Sequence, residues 1–121
     1  MKEIFKNKAL KNIKIAEIAF ENACFNASAN RAYYAAFDAA IAAIYSIGIE
    51  PRIDHKVIQS LLSDYFFNKR KIIPSKYRGD LKKLQENRNI ADYHEGVSKK
   101  TAKKQLFLAK ELVEIIFKVI E

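Results

Sequence analysis

The sequence predicts an all-α protein: an antiparallel, up-and-down bundle of about five helices. Three observations carry this. Apolar residues recur at steps of three and four, and strand-like alternation is absent. Only three glycines and two prolines interrupt the 121 residues, so the connections are short. Half of the residues are apolar, enough for a true core. A chain of this length suits one compact domain, residues 1–121, burying roughly two-thirds of the surface its unfolded form exposes.

Phe5, Ala9, Ile13, Ala16, Phe20 and Ala23 mark one face of a first helix. Ser28 is positioned to cap a second, which runs through "NRAYYAAFDAAIAAIYSI" and stops at Gly48. That helix is apolar nearly all round and should be central. "EPRID" is a turn, with Asp54 as N-cap of a third helix carrying Val57/Ile58, Leu61/Leu62 and Tyr65/Phe66. Ser75 can open a fourth helix with the stripe Tyr77, Leu81, Leu84, Arg88 and Ala91, ending near Gly96. Ser98 caps a fifth, with the stripe Leu106, Ala109, Val113, Ile116 and Ile120.

Cys24 is the single cysteine, so no intrachain disulfide can form, which fits a reducing cytosol. Its helix-forming neighbours make it a small core residue rather than a nucleophile. The start, "MKEIFKNKALKNIK", mixes charge with apolar residues and does not resemble a signal peptide. The longest apolar run contains Asp38, so no membrane span is expected. The reading is a soluble, cytoplasmic protein without a membrane partner.

The net charge of +8 is unevenly placed. Residues 1–68 carry eight Lys/Arg against seven Asp/Glu, whereas residues 69–104 carry twelve against four. The excess therefore surrounds "RNIADYH", residues 88–94. A polyanion such as RNA suits that patch; the plainer account is a solvated lysine face. Lys99, Lys100, Lys103 and Lys104 open the fifth helix, where positive charge opposes the helix dipole. That placement favours an RNA-binding role.

Arg88 stands where the fourth-helix stripe asks for leucine, so its guanidinium must find a buried carboxylate or a ligand phosphate. Asn89 can orient a phosphate or the arginine. His94 follows six residues after Arg88, about 240° around an ideal helix. It can fold back over the arginine from a loosened helix end, or face the arginine of a second subunit. Such a set supports RNA cleavage without metal. An imidazole takes the 2′-hydroxyl proton, arginine stabilises the pentacoordinate phosphate, and a symmetric dimer supplies a second imidazole. No cluster with metal-ligand spacing is present, and no cofactor is expected. Asp38, inside the apolar helix, can pair with Arg31 or accept from Arg88 in support of it. Tyr93 can pack or stack on a base, and His55 reads as a capping or packing residue.

Three segments resemble HEPN domains, a small helical family found with minimal nucleotidyltransferases: "NRAYYAAFDAAIAA", "DHKVIQSLLSDYF" and "IIPSKYRGDLKKLQENRNIADYH". The family's ribonuclease signature is Arg, then a polar residue, with a histidine four to six residues after the arginine. Arg88, Asn89 and His94 match it residue by residue. The resemblance implies an all-α homodimer whose two motifs meet at the interface and cut single-stranded RNA. It further implies a toxin whose antitoxin is a nucleotidyltransferase. Some relatives carry a tyrosine two residues after the histidine, which the partner modifies with AMP; here Gly96 stands there, and Tyr93 lies on the other side of His94. The alternative within the family is a non-catalytic module that binds nucleotide or a nucleotidyltransferase through the same cleft. A helical scaffold with no site is the third reading.

Overall fold

A computed structural model describes all 121 residues. It contains five α-helices and no strand: α1 Lys2–Glu21, α2 Phe25–Ser46, α3 His55–Leu62, α4 Asp80–Tyr93 and α5 Lys99–Ile120. Helix α2 is the axis of the bundle, and α1, α3, α4 and α5 all pack on it. From Ala32 to Ile44 every residue except Tyr34 is buried. Its alanines lack the side-chain bulk that would hold neighbouring backbones apart, so α1 and α5 approach closely from two sides. Phe37, Ile41 and Ile44 fill the gaps. No helix is long and apolar enough to cross a membrane.

Several helix ends follow the local signals. Asp54 caps α3, its Oδ1 accepting from the amides of Lys56 and Val57. Ser98 Oγ accepts from Thr101 N at the start of α5. Beyond α2, Gly48 takes a left-handed φ of 83°.

Other ends move, each for a physical reason. Helix α2 begins at Phe25, ahead of Ser28, which therefore caps nothing. Ser28 is buried, and its Oγ donates to Ala16 O at 2.8 Å, tying α2 to α1. Cys24 is exposed rather than part of the core, because α1 ends at Glu21 and residues 22–24 form the link. The third helix widens into a π-helix over Ser63–Lys69. Its five-residue step sets Phe67 inside with Leu62 and Phe66. Ser75–Tyr77 makes only one 3₁₀ turn, and Gly79 at φ 85° breaks the chain before α4 starts at Asp80.

The buried face of α5 keeps Ala109, Val113 and Ile116 of the expected stripe but differs near its start. Gln105, 1% exposed, is in the core, while Leu106 is half-buried. The amide of Gln105 is satisfied on three sides. Nε2 donates to Leu84 O at 2.7 Å and Ala29 O at 3.3 Å, and Oε1 accepts from Asn87 Nδ2 at 2.9 Å. One side chain thus joins α2, α4 and α5.

Asp38, 8% exposed, neither pairs directly with Arg31 nor accepts from Arg88. Its Oδ2 accepts from Asn12 Nδ2 at 2.9 Å, and Asn12 Oδ1 accepts from Arg31 Nη1 at 3.1 Å. Asn12 of α1 stands between the two charges, so Asp38 holds α1 to α2 rather than supporting the arginine of α4. Burial raises its carboxyl to about 6, against the Asn12 donor and the charges of Lys8 and Arg31.

Two stability tests follow from these contacts. Gln105→Leu keeps the volume but leaves the Asn87 amide without its acceptor. It should cost about 1–3 kcal/mol, read as a lower urea midpoint at fixed protein concentration and unchanged m value. For Asp38 the folded carboxyl titrates above the unfolded one, so ionisation disfavours folding. Stability falls as pH rises from about 4 to about 6, and the full penalty persists above that. Asp38→Asn retains an oxygen to accept from Asn12. It should stabilise the protein by about 1–2 kcal/mol at pH 7, with the gain vanishing near pH 4 in thermal melts.

Candidate functional site

Between Ala32 and Ile44 the single opening in the burial of α2 is at Tyr34, and Arg88 of α4 lies over it. Leu81, Leu84 and Ala91 of α4 are buried, which turns Arg88 inward with its side chain only 14% exposed. The expectation that this guanidinium must find acceptors is met within the chain. Nη2 donates to Tyr34 Oη at 2.8 Å, and Nη1 donates to Asn89 Oδ1 at 3.0 Å. Nε is 3.0 Å from Asp92 Oδ2, an ion pair one helical turn on. That contact lies off the N–H direction, so the buried Nε–H has no hydrogen-bond acceptor. The Arg88 guanidinium carbon is 5.3 Å from the Tyr34 ring centroid and 5.4 Å from that of Tyr93. These bonds use one of the two N–H groups on each terminal nitrogen.

Helix α2 secures this arrangement from below. Asp92 Oδ2 accepts from Asn30 Nδ2 at 2.8 Å, and Asn30 Oδ1 accepts from Arg31 Nε at 2.8 Å. Arg31 also lies 5.0 Å from the Tyr34 ring centroid, so two guanidinium groups attend one tyrosine. Asp92 therefore fills the position beside Arg88 for which Asp38 was a candidate. Its spacing of four residues from Arg88 was the available signal.

His55 does not cap α3; Asp54 does. The His55 ring packs against Phe37 with centroids 4.9 Å apart and against Tyr33 at 5.5 Å, and its Nδ1 is hydrogen-bonded to the Tyr33 hydroxyl. Burial lowers its pKa, and the positive charge of Arg88 lowers it further. The packing role expected of His55 holds, and the arginine's field reaches it. Tyr33 is pushed up, chiefly by burial.

His94 is elsewhere. It is the first residue beyond α4, in extended conformation, with its backbone N–H donating to Ile90 O at 3.2 Å. The imidazole is exposed and makes no hydrogen bond or ion pair, so it does not fold back over Arg88 of the same chain. The following loop is pinned away from it. Gly96 at φ 95° would bring a Cβ to within 3.0 Å of the Asn26 side chain, and Val97 N donates to Asn26 Oδ1 at 2.9 Å. A tyrosine at position 96 would meet both obstacles.

The remaining candidates divide between the two. Asn89 orients the arginine itself. Tyr93, 68% exposed, shields one side of Arg88. Lys99, Lys100, Lys103 and Lys104 are all exposed on the first turns of α5. Tyr34, Asn30, Asp92 and His55 complete the arginine's surroundings. No group of three or more His, Cys, Asp or Glu side chains is placed to hold a metal ion.

No curated protein matches the chain. The HEPN domain family profile matches residues 3–120, from the first turn of α1 to the last residue of α5. A match over nearly the whole chain, on an all-helical bundle, settles the family: this protein belongs to the HEPN domain family.

Proposed function

We propose that the protein is a metal-independent endoribonuclease that cuts single-stranded RNA as a homodimer. The carrying observation is the separation of the two key groups within one chain. Arg88 is held rigid with N–H groups to spare, while His94 is exposed and unpartnered around the helix end. A second copy related by a two-fold axis would bring each His94 toward the other chain's arginine. Ile90 and Tyr93, exposed on α4 beside the motif, are apolar surface suited to that contact.

In this mechanism one His94 takes the proton from a ribose 2′-hydroxyl, whose oxygen attacks the adjacent phosphorus. Arg88 stabilises the pentacoordinate phosphorane. The second His94 gives a proton to the departing 5′-oxygen, leaving a 2′,3′-cyclic phosphate and a 5′-hydroxyl. Asn89 and Asp92 are positioning residues, since they fix the guanidinium. In cytoplasm the natural restraint is a nucleotidyltransferase antitoxin. With Gly96 where some relatives carry a modified tyrosine, that partner would silence this chain by covering the site rather than by modifying that position.

A second reading, a non-catalytic module that binds nucleotide or a nucleotidyltransferase, is favoured by one observation: Tyr34, Asn89 and Asp92 already occupy much of the arginine. Cleavage assays separate the two. His94→Ala should lose about two to four orders of magnitude in rate while leaving the fold intact. Arg88→Ala should abolish cutting, and Arg88→Lys should rescue poorly, because a point charge cannot replace a planar fork. Chelator should leave the rate unchanged, and the products should end in 2′,3′-cyclic phosphate. Equal cutting by His94→Ala, or 5′-phosphate ends, would refute the ribonuclease mechanism; binding without cutting would leave the second reading.

Sedimentation tests the assembly separately. A dimer is expected at micromolar concentration, and a strict monomer would remove the composite site.

A further inference from the structure

We infer that the groove between α4 and α5 is the track along which single-stranded RNA reaches His94, with Phe107 as a stacking platform for a base. The inference rests on the ribonuclease reading for its destination and on the groove's own chemistry for its occupant. The groove has a volume of about 610 Å³ and is lined by Lys83 and Asn87 from α4 and by Lys103, Lys104, Phe107 and Glu111 from α5. Three cations against one carboxylate suit a polyanion.

Two features make this more than a solvated lysine face. Phe107 is 65% exposed among those lysines, although α5 has a well-filled apolar face elsewhere. An aromatic ring beside a basic groove is the pairing that single-stranded nucleic acid uses, since every base has a π face and every linkage a charge. Duplex bases are stacked on each other and leave no free face for Phe107, so the occupant is single-stranded. Asn87 is likewise preset. Its Nδ2 is committed to the buried Gln105 Oε1 at 2.9 Å, which fixes the amide orientation and leaves Oδ1 as an acceptor for a base N–H.

Helical register supplies the direction. Lys83, Asn87 and Ile90 follow one another at steps of four and three, so they share one face of α4, and His94 is the residue that follows the helix end just beyond them. Arg88 lies about 100° from Asn87, toward α2. The floor of the groove therefore leads to His94 rather than to Arg88 of the same chain, about 10 Å beyond Asn87 along the axis. RNA lying in one protomer's groove would present its backbone to that protomer's His94 and, across the two-fold axis, to the partner's arginine.

The test uses the full-length protein and a short fluorescent oligo-2′-deoxyuridine, which binds but cannot be cut because it lacks the 2′-hydroxyl. Phe107→Ala should weaken binding about tenfold or more with the salt dependence unchanged, and Phe107→Trp should restore it. Lys103→Ala with Lys104→Ala should weaken binding and lower the salt slope by about 0.7 per lysine. Wild-type affinity in Phe107→Ala, or no oligonucleotide binding by wild type, would overturn the inference. So would loss of the dimer in Phe107→Ala at unchanged affinity, which would assign the ring to contact between copies. Failure of the two readings is distinguishable. Phe107-dependent binding without RNA cleavage refutes the nuclease and keeps the groove; His94-dependent cleavage with Phe107-independent binding does the reverse.

Discussion

Helix α2 sets the position of everything else. Its residues from Ala32 to Ile44 are buried on all sides except at Tyr34, and the alanines among them let the surrounding backbones come close. A helix with no polar face cannot exist alone in water, so α1, α3, α4 and α5 are needed to cover it. The surrounding helices are amphipathic to match. The few polar groups inside are those that attach a neighbour: Ser28 and Asp38 to α1, and Gln105 to both α2 and α4. Each has its hydrogen bonds satisfied, which is the condition for burying it at all.

The same constraint explains where the site lies. Tyr34 is the one residue of this central stretch that reaches partly into solvent, and two arginines converge on it, Arg31 from α2 and Arg88 from α4. Two like charges near one ring repel unless carboxylate and amide groups separate them. Asn30 and Asp92 do that, and with Asn12 and Asn89 they form a continuous polar lattice from Asp38 to Arg88. The result is a guanidinium fixed in direction, as a group stabilising a developing phosphorane charge should be. His94 lies outside this lattice, exposed and without a side-chain partner. The rigid group and the free group are on different sides of α4, which gives a second subunit its role in the proposed site.

The basic charge is organised on the other flank of α4. Three lysines of the basic patch, Lys83, Lys103 and Lys104, line a groove with an exposed ring, and its wall rests on the buried amide of Gln105. A core hydrogen bond thus orients a surface residue, Asn87. Fold stability and the proposed recognition groove share that one side chain.

Much of this was legible in the sequence alone. The helical class, the central apolar helix, the caps at Asp54 and Ser98, and the odd placement of Arg88 are properties of local periodicity and local hydrogen bonding. They depend on residues within a turn or two of one another. What the sequence could not determine are contacts between distant segments. Tyr34 and Arg88 are 54 residues apart, and no spacing rule links them. The exposure of Cys24, the burial of Gln105 in place of Leu106, and the choice of Asp92 over Asp38 as the arginine's carboxylate were likewise set by packing. A one-residue rotation of a helix exchanges an inward position for an outward one at almost no local cost. Only the shape of the neighbouring helices decides between them.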